Sequence, residues 1–200
     1  MKQDEINGIR FLHRENTGDL KTFQVVIGRD VYRKKGMTIL SNENWVDCGG
    51  NVGAFTLLAA SLGANVTTYE PDPNNCKMIE RNLKLNGLNA NIVQAGLVHN
   101  DVKKTNLYVG NNGNVWRNSM YKNWNGKGLV VDCVKFDDVV KDGVCVKMDI
   151  EGAEMSILEN TNRTFKKLVF EWSFDIDPSL PRFWNIIEKL QNKYIVAEVS

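Results

Sequence analysis

Asp47, Gly49, Gly50, Asn51 and Gly53 form the pattern D-x-G-G-N-x-G, and Glu70 follows 23 positions after Asp47. Glycines let a ligand approach bare peptide groups, because no Cβ stands in the way. An acid at that spacing suits the end of the next strand of a strand–loop–helix–strand unit, where it can accept both hydroxyl protons of a ribose diol. A second group of acids, Asp149, Glu151, Glu154 and Glu171, crowds the last third of the chain. Crowded carboxylates raise one another's pKa, so one of them can take a proton from a hydroxyl. The same group could instead hold a divalent cation.

These residues need elements that place them together. "NWVDCG" reads as a short buried strand, residues 52–62 as a buried helix closed by Gly63, and "ANVTTYE" as a β-branched strand. "PDPNNCKMIERNLKLNGL" carries Cys76, Ile79 and Leu83 at helical spacing and stops at Asn86-Gly87. "ANIVQAG", "VCVKMDI" and "KLVFEWSF" supply further buried strands, with two more near 104–109 and 129–134 flanking a long polar loop. A short helix carries Ala153, Ile157 and Leu158, and Phe183, Ile186, Ile187 and Leu190 mark a last helix ahead of "YIVAEV". The first forty residues read as irregular strands: "IRFLH", "KTFQVVIG" and "DVYRKK". Alternating strands and helices with non-alternating apolar strands imply an α/β fold, a doubly wound, mostly parallel sheet with helices on both faces. Ligands of such sheets bind at the carboxyl ends of the strands, where each acid named above falls.

Composition narrows the possibilities. The 200 residues fit one domain, with N-terminal strands over 1–40 and a cofactor-binding core over 44–200. A formal net charge of +1 offers no electrostatic footprint for nucleic acid or an anionic membrane. No apolar run approaches the ~20 residues of a membrane span. Cys48, Cys76, Cys133 and Cys145 are scattered in apolar runs, without zinc spacing, which suits four reduced buried thiols and a cytoplasmic location. No metal ligand set stands out.

G-G-N-V-G-A is not the G-x-G-x-x-G of a dinucleotide site, and no Gly-Lys-Ser/Thr of a phosphate loop occurs. The acid–glycine pattern suits a nucleoside carrying a small zwitterionic tail, its ammonium near Asp47 or the loop carbonyls. S-adenosyl-methionine is such a ligand. Pro71 and Asp72 fall where its adenine would rest.

"VDCGGNVGAFTLLAA", "YEPDPNNCKMIERNLKLNGL" and "VKMDIEGAEMSILEN" together resemble the FkbM-type methyltransferase family of the class I S-adenosyl-methionine-dependent fold. The likeness spans roughly residues 15–175. It implies a cofactor site over Asp47, Cys48, Gly49, Gly50, Asn51, Val52, Gly53, Glu70, Pro71, Asp72, Gln94, Ala95 and Asp149. It also implies O-methylation of a sugar hydroxyl, on a glycan or a deoxysugar such as rhamnose or fucose, by a domain working beside or fused to glycosyltransferase domains. Methylation of a non-sugar small molecule and a catalytically silent scaffold are the alternatives. Class I folds usually close with a helix and a β-hairpin, whereas this sequence stops after "YIVAEVS". That leaves the hairpin incomplete or the chain a domain cut from a larger polypeptide.

Sulfonium methyl transfer is an in-line displacement, and an alcohol nucleophile must lose its proton as the bond forms, so a positioned base is expected. Nucleobase amine methylation typically uses an Asn-Pro-Pro-Tyr-like turn after the fourth strand, where this chain has "MDIEGAE". Asp149, Glu151 and Glu171 are therefore the candidate catalytic acids. Glu154 is a candidate acceptor contact, although a helix-terminal charge alone would explain it. The loop "NNGNVWRNSMYKNWNGKG" joins amides to Trp116, Tyr121 and Trp124, a mixture that suits the hydroxyl edges and apolar faces of sugars. His13 could cap the acceptor pocket. His99 reads as a solvated turn residue. Without the loop aromatics, acceptor recognition would fall to the N-terminal residues around His13, Asp19 and Tyr32.

Overall fold

The computed structural model describes residues 1–34, 36–110, 118–123 and 128–195. Its centre is a five-stranded parallel sheet in the order β10-β9-β3-β4-β5. These strands are β3 (Asn44–Cys48), β4 (Asn65–Tyr69), β5 (Asn91–Val93), β9 (Cys145–Met148) and β10 (Lys167–Phe170). The chain winds outward from β3 through β4 to β5, then returns to β9 on the other flank of β3. The gap between β3 and β9 is thus the topological switch point, where neighbouring loops turn opposite ways and leave a crevice.

Period-2 alternation divides the core. Trp45 and Cys145 face one layer with Phe55, Leu57 and Ile79, while Val46, Cys48, Val146 and Met148 face another with Ile157, Phe136 and Ile186. Helices α2 (Ala54–Ser61) and α3 (Pro73–Leu85) cover the first face. Helices α4 (Phe136–Val139), α5 (Glu154–Asn160) and α6 (Leu180–Gln191) cover the second. Helix α3 starts on Asp72, whose carboxylate accepts from the Asn74 amide, with Pro73 preset for the first turn. Leu62 ends α2 and Gly63 follows in the left-handed region. A three-stranded sheet, β6-β8-β7, joins β6 (Gly96–Val98), β7 (Lys104–Tyr108) and β8 (Gly128–Lys135). The run read as one third strand is therefore two, β5 and β6, in different sheets. No helix among the described residues is long and apolar enough to cross a membrane. The four cysteines are buried and free.

The N-terminal region departs from the strand reading. β1 (Lys2–Ile6) and β2 (Ile9–His13) form an antiparallel hairpin, but "KTFQVVIG" is helical. It belongs to α1 (Asp19–Phe23) and a following π-helical turn (Gln24–Gly28). Phe23, Val26 and Ile27 are buried, at i, i+3 and i+4, so one helical face docks on the core. Its β-branched valines suggest a strand, but tertiary packing overrides that propensity. "DVYRKK" forms turns rather than a strand among its described residues. The terminal residues 196–200 of "YIVAEVS" lie outside the described residues.

Candidate active site

β3 and β9 run parallel with Asp47 opposite Lys147, both on the α2 face. Both side chains are buried, Asp47 completely. The Lys147 ammonium lies 3.1 Å from Asp47 Oδ1, and Thr56 Oγ1 donates to Oδ2 at 2.6 Å. Lys147 Nζ also donates to the Gly49 carbonyl at 2.7 Å and reaches to 3.9 Å from Asp149 Oδ2. Burial alone would pull the lysine's pKa down, but the Asp47 and Asp149 charges outweigh it and the net shift is upward. Lys147 therefore stays a cation. The sequence reading leaves the space beside Asp47 and the loop carbonyls for a ligand ammonium, whereas the protein fills it with its own.

The glycine loop is built against this pair. Gly49 and Gly50 amides both donate to the Tyr69 carbonyl, at 3.0 and 3.1 Å. Gly49 has φ +85°, and a Cβ there would overlap the Asp149 carbonyl oxygen. At Gly50 a Cβ would strike the Thr68 hydroxyl. Packing behind the loop thus demands glycine, and the other side presents bare peptide to the cleft. Gly49→Ala is expected to cost about 2–4 kcal/mol, combining backbone strain with overpacking. Urea unfolding would measure this, and a loss under ~0.5 kcal/mol would contradict the tight approach of the two loops.

Glu70, just beyond β4, is buried against loop amides. Its Oε2 accepts from the Asn51 amide at 2.7 Å, and Oε1 from the Asp72 amide at 2.9 Å and from Asn75 Nδ2 at 3.4 Å. Burial outweighs these bonds and pushes its pKa up to about 7. Asn51 sits at φ +48° with Oδ1 buried and unpartnered among the described residues.

The other wall is acidic. Asp149 follows β9, and its amide donates to the Cys48 carbonyl at 3.0 Å. Tyr32, from the turn after the π-helical segment, donates its hydroxyl to Asp149 Oδ2 at 3.1 Å. Burial, then the Asp149 and Glu171 charges, lift the phenol's pKa well above its ordinary range, so it stays a donor. The Glu171 amide donates to the Met148 carbonyl at 2.9 Å, which sets this exposed residue beside the end of β9. The Asp149 charge, followed by burial, raises the Glu171 carboxyl. Glu151 occupies the left-handed region at φ +53°, and its carbonyl accepts from Ser119 Oγ at 2.6 Å. A non-glycine residue held there is strained, which the surrounding contacts must sustain.

A cleft open to solvent joins the two walls. Gly49, Gly50, Asn51, Glu70, Pro71 and Ala95 line one part, and Tyr32, Lys147, Asp149 and Glu151 another. Cys48, Val52 and Asp72 are buried at the ends of these elements, and Gly53 begins α2. Gln94 is exposed after β5. Glu154 is fully buried, accepting from the Ile150 amide at 2.7 Å and the Gly152 amide at 2.9 Å. It clamps the 150–152 turn and faces that backbone rather than an acceptor. His13 is buried in the hairpin with Nε2 2.8 Å from Asp4 Oδ2, and does not line the cleft. Tyr121 is half-exposed beside the Gly152 turn. Trp116 and Trp124 lie outside the described residues. Among the described residues no cluster of three or more His, Cys, Asp or Glu could hold a metal ion.

Lys147, Asn75 and Asn118 escape the sequence reading. Lys147 leaves one signal, a lone charge inside the apolar run "VCVKM". Asn118, whose amide donates to Asp72 Oδ2 at 3.0 Å, is legible only as one of the amides of the 111–128 loop, with nothing to point it at Asp72.

The residues present fit S-adenosyl-methionine. The bare-peptide loop, the orphaned Asn51 Oδ1 and a carboxylate at the end of β4 offer the contacts that a nucleoside with an amino-acid tail requires.

The precorrin-6y C5,15-methyltransferase of Geobacter metallireducens GS-15 is similar in structure, with a TM-score of 0.50 and 15% identity, over 94% of this chain and 78% of that one. The tRNA (uracil-54, C5)-methyltransferase of Pyrococcus abyssi, in complex with S-adenosyl-L-homocysteine, gives a TM-score of 0.49 at 15% identity, over 84% of this chain. The chain spans only 33% of that protein's length. A methyltransferase from Pyrococcus furiosus matches over 44% of this chain and 43% of its own, with 20% identity and a TM-score of 0.37. No curated protein matches. The family model described as the methyltransferase FkbM domain matches residues 47–194, from the Asp47 end of β3 to beyond α6. This chain belongs to the FkbM methyltransferase family, whose cofactor is S-adenosyl-methionine.

Proposed function

We propose that the chain transfers a methyl group from S-adenosyl-methionine to a hydroxyl of a sugar acceptor, on a glycan or a deoxysugar such as rhamnose or fucose. The observation that carries this reading is Asp149, which lines the cleft against the glycine loop and whose charge acts on Glu171 beside the end of β9. A hydroxyl must give up its proton during transfer, and Glu171, its pKa raised chiefly by the Asp149 charge, is a suitable acceptor for it. When bound, the cofactor supplies an electrophilic methyl group. The glycine loop and Glu70 would hold it, while Asp149 and Glu151 stand at the acceptor end of the same cleft. Acidic side chains rather than an amide–aromatic turn at this place favour oxygen over nucleobase nitrogen. Incubation with labelled S-adenosyl-methionine and a panel of methyl glycosides tests the reading. Label transfer to a hydroxyl is the expected result, and exclusive labelling of nucleic acid would reject it.

Cofactor affinity should depend on pH through Glu70. Only the ionised carboxylate accepts from both ribose hydroxyls, and its folded pKa of about 7 lies above the ordinary 4.5. The folded protein therefore holds a proton between those values, and binding must release it. S-adenosyl-homocysteine should bind roughly tenfold more weakly at pH 6 than at pH 8, following the ionised fraction. Calorimetry on wild type and Glu70→Gln checks this. A wild-type Kd equal at both pH values would remove Glu70 from the ribose.

A further inference from the structure

We infer that Tyr32 is a positioning residue for the proposed methyl transfer, acting with Lys147 to hold Asp149 in place between the glycine loop and Glu171. The inference rests on the hydroxyl-methylation reading above.

One hydrogen-bond donor and one cation, from separate parts of the chain, converge on Asp149 Oδ2. The Tyr32 hydroxyl stands at 3.1 Å and the Lys147 ammonium at 3.9 Å. Both partners therefore act on the same oxygen. The Tyr32 ring is fixed in turn. It meets Phe55 of α2 edge-on, with centroids 5.5 Å apart, and the Lys147 ammonium lies 5.7 Å from its centre. Phe55 is itself buried against Trp45 of β3. Tyr32 thus has a rigid base, and its hydroxyl has one charged target.

Lys147 makes this a link between the two halves of the cleft. One ammonium touches the Gly49 carbonyl of the cofactor loop, the Asp47 carboxylate behind it and the Asp149 carboxylate on the acceptor side. A displacement of in-line geometry by ~1 Å can cost two orders of magnitude in rate, so a fixed relation between these halves matters. Tyr32 completes the clamp from an N-terminal turn that precedes the family's matched region, residues 47–194. The charged groups facing Tyr32 are Asp149, Glu171, Asp47 and Lys147. Those facing Glu171 are Asp149 and Lys147.

The test uses the full chain with Tyr32→Phe, which keeps the ring and removes only the donor, alongside Asp149→Asn. Ultraviolet titration of tyrosinate, with Tyr32→Phe as the blank, isolates the Tyr32 phenol. Its midpoint should fall in Asp149→Asn because an adjacent negative charge is lost. An unmoved midpoint would overturn the contact. With whichever methyl glycoside the wild type methylates, Tyr32→Phe should lower kcat about tenfold or more, with the S-adenosyl-homocysteine Kd unchanged within twofold. The acid limb of its pH–rate profile should also move to lower pH, since Asp149 is no longer held against Glu171. Unchanged kcat and profile would reject the positioning role. If the wild type methylates no glycoside, the sugar reading fails on that panel, while the tyrosinate titration still decides whether the clamp exists.

Discussion

Lys147→Met is expected to lower the unfolding free energy by about 3–5 kcal/mol, the cost of leaving a buried carboxylate without its counter-ion. Asp47 has no exposure to solvent, and its remaining donor is the Thr56 hydroxyl. For a chain of this size that loss corresponds to a fall in Tm of roughly 6–20 °C. The substitution also strips the Gly49 carbonyl of its donor, so S-adenosyl-homocysteine binding should weaken together with stability. Asp47→Asn/Lys147→Met separates the causes. The neutral amide no longer carries a stranded charge, and most of the stability should return while loop order does not. Thermal and urea unfolding of the three proteins decide this. A single variant within 1 kcal/mol of wild type would overturn the role of the Lys147–Asp47 pair in stability.

Asp149→Asn should reduce methyl transfer by about 10²–10⁴-fold, the usual range for loss of acid–base chemistry at a reacting group. Cofactor affinity should change little, because the loop's amides and Glu70 remain. Such a loss falls on kcat, as expected for an interaction made mainly in the transition state. The variant keeps the shape and the Tyr32 contact but removes the charge that raises Glu171. Turnover near the wild-type rate would dismiss the Asp149–Glu171 pair as the proton-accepting device. Adding a chelator to the wild type distinguishes a carboxylate base from a required divalent cation, and unaffected turnover is the expected outcome.

Much of this arrangement is legible in the sequence because it is local. The glycines after β3, the acid after β4 and the acids after β9 are written as short motifs, each tied to the end of an apolar run. Strand and helix periods place them at the carboxyl ends of the strands of a parallel sheet. Lys147 is legible only as an anomaly, because its meaning depends on register. Asp47 and Lys147 become partners when β3 and β9 pair, and no local pattern encodes that pairing. Glu154 misleads for a related reason. A helix-start acid reads as exposed charge, yet the 150–152 turn folds over it and uses it as an acceptor for two amides. In the stretch from Lys21 to Gly28 the β-branched valines suggest a strand. Its apolar spacing already describes a helical face, with Leu20, Phe23, Val26 and Ile27 in step.

The ion pair between neighbouring strands also has a history in time. Lys147 and the Gly49 carbonyl it binds are 98 residues apart in the chain. At ordinary elongation rates they leave the ribosome roughly 5–20 s apart. β3, α2 and β4 can assemble early from nearby segments, but through that interval β3 keeps an unpaired edge and Asp47 has no cation. The glycine loop therefore gains its Lys147 contact only after β9 is made, although its own residues are made 98 positions earlier. Such non-local closure slows folding, and it exposes a strand edge to other chains while it waits. Cofactor binding, which needs the ordered glycine loop, therefore waits on the pairing of β9 with β3.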